Sequence, residues 1–505
     1  MSNAAEKKHL WQSPVAIMFV ALALRLVAVR LYYTSTWNYY EDHLWFGFET
    51  GRISRSIAEG QGFGNPLLAH TGPTAWLTPV YPYLLAGVFK LFGVYSKTSA
   101  FVILSLNVLF SALICLPLYR IAQRSFGRGV AVTACWIWTL YPYFIYIPSG
   151  FVWDTCLGAL LASILFLFAL KLKEQSGTRW SWLGFGVLGG LCALTNASTL
   201  TLCPILAAWA IYPLWKKPLS TQNTQTQNIS GLSQTAPTSQ ISQTRSLWLS
   251  PALLVVTGLV VTLLPWQVRN YRAFHTLIPL RDTFWLEFWV GNDGNTSSWL
   301  DTDVHPSINP DQKAAFVRLG EIPYFREKRR EALALLAQHP GLYVVQCLRR
   351  FLYLWTGFWN LDPSNLQDEF HGFANVYLTV SLTLAMLVGL WRAWRNSFAL
   401  GDGAIDTNGL MKNSVGLQAA PSRQLHNGHS EQSEESAFSF RSSREAVLPF
   451  LLVLALYPVV FYLTHPTIRY RHIIDPEIVV LAALGLRSLI SRPALRALPS
   501  SKENS

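Results

Sequence analysis

The chain has 505 residues, of which 13% are charged, 51% hydrophobic and 13% aromatic. A water-soluble surface cannot be assembled from about half the usual ~25% share of charged side chains, so soluble, disordered and collagen-like classes are excluded and a polytopic membrane protein remains. The net charge of +12 does not reopen a nucleic-acid reading, because Lys and Arg fall at the ends of apolar runs, where they set topology and attract anionic lipid. All six cysteines lie in apolar stretches without CxxC spacing, so they read as small core residues and not as a zinc site or disulfide framework.

In chain order, Lys7-Lys8 precede a first apolar run from Pro14 to Tyr33, read as an uncleaved helix with an inside N-terminus. Further runs long enough to cross about 30 Å of hydrocarbon lie near 98–121, 129–148, 152–172, 180–197, 199–215, 247–268, 371–393, 447–464 and 474–490. The fold class is therefore all-α, with about 10–13 spans. Counted from an inside N-terminus, the basic clusters around Arg124, Lys173, Lys216, Arg395 and Arg492 all fall inside, as positive-inside topology requires. Residues 1–217 form an N-terminal membrane module with a first outer loop at 34–97. Residues 247–393 add spans and a second outer region at 266–370, and 447–505 hold the last spans. The intervening 218–246 and 394–446 are polar, low-complexity cytoplasmic linkers with too little apolar surface to order themselves. In the first outer loop, Tyr81 to Phe92 is too short to span comfortably and reads as an interfacial or re-entering helix.

Chemistry fits best on the outer face. Glu49 opens a helical stretch just after the first span, where a carboxylate serves either as a helix-end charge or as a general base for a hydroxyl acceptor; Glu41 and Asp42 are alternatives for both roles. Asp154 stands in a very short outer turn before a span. A boundary carboxylate is costly there unless paired or functional, and it could orient an acceptor or ligate a divalent cation, Mg or Mn. The last outer loop, His465 to Pro476, carries Arg469 and Arg471 against the positive-inside trend, either snorkelling to headgroups or binding an anionic group through the guanidinium fork. Arg269 and Arg272 emerge on the same face, with helix-end anchoring as the alternative. Asn196 suits an interhelical hydrogen bond, and Pro73, Pro79 and Pro82 stiffen the loop beside Glu49.

Taken together, the first-loop carboxylate, GRISRSIAEGQGFGNP (51–66), TGPTAWLTPVYPYLLAGVFKLFG (71–93), PWQVRNYRAF (265–274), GEIPY (320–324) and RYRHIIDP (469–476) resemble bacterial GT-C glycosyltransferases. The type is that of the dolichyl-phosphate-mannose-protein mannosyltransferases and aminoarabinose transferases. The resemblance covers most of the chain outside the two linkers. It implies an inverting transferase, metal-optional, that moves a sugar from a polyprenyl-phosphate donor to a hydroxyl of a lipid, glycan or protein acceptor. The setting it implies is the periplasmic face of a bacterial inner membrane, with extracytoplasmic loops forming the active site. The family's catalytic carboxylate lies in the first outer loop, often as an Asp-Glu pair. Here Glu41-Asp42 is the adjacent pair while Glu49 directly precedes the matching helix, so Glu49 is placed first with Asp154 beside it. Arg469, Arg471, Arg269 and Arg272 would bind the donor phosphate, and Arg52, Tyr81 and Asn196 would support the loop. No nucleic-acid partner is expected. The rival class is a lipid or solute transporter, favoured by one feature, Arg25 near mid-membrane in the first helix.

Overall fold

The computed structural model describes residues 10–36, 46–175, 177–216, 240–292, 303–358, 373–401 and 443–490. Glu41, Asp42 and most of both expected linkers lie outside the described residues. The described residues are mainly helical, with α-helices in the order α1 (Pro14–Thr36), α2 (Glu49–Ala58), α3 (Val80–Phe92), α4 (Lys97–Leu113), α5 (Cys115–Phe126), α6 (Arg128–Leu140), α7 (Pro142–Gly150), α8 (Thr155–Gln175), α9 (Arg179–Thr195) and α10 (Leu202–Lys216). There follow α11 (Gln240–Phe274), α12 (Phe284–Gly291), α13 (Pro310–Leu319), α14 (Glu321–Gln338), α15 (Pro340–Thr356), α16 (Phe373–Gly401), α17 (Ser443–Leu456), α18 (Val459–Leu463), α19 (Ile468–Arg471) and α20 (Asp475–Ile490).

Each of the ten apolar runs lies on a helix or a broken helix pair, but six helices among the described residues are long and apolar enough to cross a membrane, and a seventh results if α6 and α7 are one span bent by 51°. The shortfall comes from α9, α10 and α20, which are 17, 15 and 16 residues long and sit just under a full bilayer width. The linker boundaries also move: α11 begins at Gln240, inside 218–246, and α16 runs to Gly401, past 393, because residues such as Gln, Arg and Ala carry a helix beyond its apolar stretch. Helix pairs approach closely where glycines face each other. A Cβ on Gly186 would lie 2.1 Å from the Val255 carbonyl across the α9–α11 contact, and one on Gly389 would lie 2.0 Å from the Leu481 carbonyl across α16–α20.

The break between α6 and α7 has an identifiable cause. Pro142 and Pro148 have no N–H, so the carbonyls four residues earlier, Trp138 and Phe144, lose their helical donors. Arg25 of α1, fully buried, supplies both: its Nη2 donates to Trp138 O at 2.6 Å and its Nε to Phe144 O at 2.9 Å. The intramembrane arginine that favoured a transporter is therefore accounted for by backbone satisfaction.

At one end of the bundle, the first loop and residues 266–336 share one aromatic core that includes Ile53, Phe63, Trp76, Trp266, Trp289, Phe316 and Phe325. The short helix α3 buries Tyr81, Leu85 and Phe89 against α2 and α4 and anchors the first loop to the bundle. We call this end the loop face.

Candidate active site

The loop face is organised around the turn 151–154 between α7 and α8. Tyr81 donates to Asn107 at 2.9 Å, and Asn107 in turn donates to Phe151 O at 2.9 Å, so Tyr81 is linked through α4 to this turn. Phe151 and Trp153 stack with ring centroids 4.5 Å apart. Gly47, at φ +72, lies so close that a Cβ there would meet Val152 O at 2.7 Å and the Trp153 ring at 3.0 Å. Only glycine tolerates both the backbone sign and the approach, so the chain passes tightly over this turn two residues before Glu49 opens α2.

Asp154 accepts from Asn196 at 3.1 Å, and Asn196 also caps the short helical turn after α9 by accepting from Ser198 N. Burial pushes the Asp154 carboxyl up to about 6, against the pull of Arg281, the Asn196 hydrogen bond and Arg469. The Arg469 guanidinium lies 3.9 Å from the Trp153 ring centroid, a cation–π contact that places its charge beside Asp154. Glu49 accepts a hydrogen bond from Ser307 and lies 3.9 Å from His305 Nδ1, so the first loop and the second outer region meet at this carboxylate. Arg281 reaches Glu287 at 3.1 Å and His465 reaches it at 2.8 Å. Burial alone would raise Glu287, but the His465 hydrogen bond and the charges of Arg281, His465 and His305 hold it well below the usual carboxylate range.

Other expected residues lie elsewhere. Arg471 is 2% exposed, paired with Asp475 at 2.9 Å and donating to Leu354 O at 3.2 Å; on the turn of α19 it points away from Arg469, into the protein. Arg269 donates to the Thr74 and Phe63 carbonyls and lies 4.9 Å from the Trp266 ring, tying α11 to the first loop. Arg272 is exposed on the last turn of α11. Arg52 is buried, with its guanidinium 5.3 Å from the Phe48 ring. A divalent cation does not fit at Asp154, whose neighbours are an amide and two guanidinium groups, and among the described residues no three His, Cys, Asp or Glu side chains gather as metal ligands.

Arg281, Glu287, His305 and Ser307 escaped the sequence reading. One signal was present: Glu287 is the single acid of Phe-Trp-Leu-Glu-Phe-Trp-Val-Gly, as unusual in its apolar surroundings as Asp154. Behind the cluster, Glu321 of the GEIPY motif accepts from Ala75 N at 2.6 Å and from the Thr74 hydroxyl, while Asp282 N donates to Ala75 O at 3.2 Å. Burial raises both acids: Asp282, pushed further by the neighbouring Glu321, to about 9, and Glu321, held back by hydrogen bonds from Ala75 N, the Thr74 hydroxyl and Asp282, to about 7.

The family model described as dolichyl-phosphate-mannose-protein mannosyltransferase matches residues 74–237, a stretch that contains Asp154 and Asn196. Among solved structures, the chain is similar to the oligosaccharyltransferase AglB from Archaeoglobus fulgidus in complex with an inhibitory peptide and a dolichol-phosphate, at 13% identity and a TM-score of 0.42, covering 96% of this chain and 51% of that one. It is also similar to ArnT from Cupriavidus metallidurans bound to undecaprenyl phosphate, at 14% identity and a TM-score of 0.37, covering 93% of this chain and 77% of that one. The chain thus spans about half the length of the oligosaccharyltransferase. No curated protein matches it significantly. Over residues 74–237, about a third of the chain, the family match agrees with the resemblance carried by the motifs.

Proposed function

We propose that the protein transfers a sugar from a polyprenyl-phosphate donor to an acceptor hydroxyl at the loop face, on the extracytoplasmic side of a bacterial inner membrane. The observation that carries this reading is the placement of Asp154 and Arg469 at the turn around Trp153, against which Gly47 packs two residues before Glu49. Two carboxylates and an arginine from three distant segments are what an inverting displacement at an anionic leaving group needs. Glu49 takes the acceptor proton as the oxygen attacks the anomeric carbon, and the bond from that carbon to the phosphate oxygen breaks with its electron pair staying on phosphate. Asp154, held by Asn196, orients the acceptor. Arg469, with Arg281 nearby, stabilises the charge growing on the phosphate, where preorganised donors in a low-dielectric site act most strongly.

The test uses purified full-length protein and a panel of polyprenyl-phosphate hexoses and pentoses, reading release of polyprenyl phosphate. A general base contributes on the order of 10²–10⁴-fold, so Glu49→Gln lowers turnover by that factor at unchanged yield, and Asp154→Asn lowers it as well. If Glu49→Gln is fully active and Asp42→Asn is not, the base belongs to the Glu41-Asp42 pair. For the face, single cysteines at Ser230 and Ser297 are expected to differ, with Ser297 alone labelled by a membrane-impermeant maleimide in spheroplasts; equal labelling would sink the topology.

A further inference from the structure

The two helices that follow one another at residues 321–356 are amphipathic in opposite senses. α14 and its neighbour α13 bury Phe316, Tyr324, Phe325 and Ala332, together with Glu321 and with Lys328 over the Trp289 ring, while Arg318, Arg326, Arg329 and Arg330 are on outer faces that expose Val317 and Leu333 as their large apolar residues, a mainly polar exterior suited to water. α15 does the reverse. Its buried residues are Gln346, Arg350 and Leu354, one i,i+4 row, and its exposed row is Val344, Leu348 and Leu352 at 57%, 61% and 54%, flanked by Val345 and Phe351. A helix that turns a glutamine and an arginine inward and presents an apolar row outward, with Arg349 at the edge of that row, is matched to a surrounding medium that is itself largely apolar.

We infer that α15 is an interfacial helix whose apolar row is covered by lipid acyl chains of the leaflet on the loop-face side, and that this seating braces the loop carrying Arg469. Three further observations identify lipid as the occupant. The exposed row continues onto the outward faces of neighbouring elements, Tyr377 and Leu384 on α16 and Val459 and Leu463 on α18. The helix has 17 residues, about 25 Å, with Arg349 and Arg350 near its middle, which suits a position in the interface and not a crossing of about 30 Å. Its inward contacts lie with loop-face segments: Arg350 donates to Leu463 O at 3.2 Å, to Asn292 at 3.0 Å and to Gly291 O, and Trp355 donates to Tyr462 at 2.8 Å. With Arg471 donating to Leu354 O, α15 grips both ends of the segment 462–471, which holds His465 and Arg469 between them. The water–lipid boundary then falls near His339-Pro340, between the two helices.

Depth is measured by single-site spin labels in full-length protein in phosphatidylethanolamine/phosphatidylglycerol vesicles, comparing collisions with oxygen and with a water-soluble nickel chelate. Labels at Leu348 and Leu352 are expected to favour oxygen at roughly 5–10 Å below the headgroups, shallower than a label at Val260 in α11, while one at Arg326 favours nickel. Nickel access at Leu348 equal to that at Arg326 would put the row in water, shielding from both reagents would mean that protein covers it, and a depth equal to Val260 would make α15 a span; each overturns the inference. The brace is read separately by hydrogen exchange, independent of any transferase activity. Leu348→Asp is expected to speed exchange at 463–471 about tenfold without changing α13, and unchanged exchange with the label depths as expected would overturn the brace.

Discussion

Arg25 and Arg469 are both arginines in an apolar setting, yet their surroundings differ in kind. In the bundle, Arg25 meets backbone carbonyls that two prolines have left without donors, and no carboxylate is among its hydrogen-bond partners. At the loop face, Arg469 lies on an indole beside a carboxylate whose own affinity for protons is raised. The first arrangement closes: two of the N–H groups at Arg25 bond to oxygens that would otherwise be unsatisfied, which costs no further group its charge. The second sets a guanidinium on an indole beside a carboxyl whose pKa is raised, the kind of perturbed ionisable grouping that is enriched at functional sites. An intramembrane charge is thus no guide to function until its partners are counted.

The largest expected effect tests the closed arrangement. Arg25→Met leaves the Trp138 and Phe144 carbonyls buried without donors, each at about 1–3 kcal/mol, so the yield of monodisperse detergent-extracted protein is expected to fall at least about tenfold. Turnover per folded molecule stays near the parental value. Parental yield would show that the break between α6 and α7 is satisfied by other means.

Next in size is the arrangement at Arg469. Charge-assisted hydrogen bonds contribute about 1.5–3 kcal/mol, so Arg469→Ala is expected to slow transfer roughly 10–100-fold at parental yield, with Arg469→Lys recovering only part because a point charge replaces the planar fork. Arg471→Lys is the contrast: it disturbs the buried Asp475 pair and lowers yield before it lowers rate. If the two positions respond alike, the division of the 469–471 turn into an outward and an inward arginine fails.

The bundle was legible in the sequence because apolar length is a local property: every run of about 20 residues became a helix or a broken pair. Asp154 was legible for the same reason, as a lone acid at the edge of an apolar run. What escaped depended on register or on distance along the chain. Arg471 and Asp475 stand four apart, a helical spacing that allows a local ion pair, but nothing in RYRHIIDP says which arginine takes it. Arg269 bonds carbonyls 195 and 206 residues away, and Ser307 meets Glu49 across 258 residues, contacts that only the packed loop face brings into being.

The smallest expected effect concerns how firmly that face is packed. Ala75 is held at its N–H by Glu321 and at its carbonyl by Asp282 N, and the two carboxyls lie together, with Arg281 facing Asp282 and Arg269 facing Glu321. Unfolded carboxyls titrate near ~4, whereas here Asp282 and Glu321 are raised to about 9 and about 7. Folded pKa values above the unfolded ones mean that the closed loop binds more protons than the opened one between these limits. The contribution of the pair is therefore fully present below about pH 4 and is lost as pH rises through 7 towards 9. A tenfold change in proton affinity is worth about 1.4 kcal/mol, but water reaching the opened loop and the two nearby guanidinium groups reduce the realised effect to about 1–2 kcal/mol. Protection of the Ala75 amide from hydrogen exchange, corrected for the intrinsic rate, is accordingly expected to be roughly tenfold higher at pH 6 than at pH 9. Asp282→Asn leaves one acid that can accept from the new amide, so the dependence should flatten, and a slope unchanged by that substitution would assign the pH response to other groups.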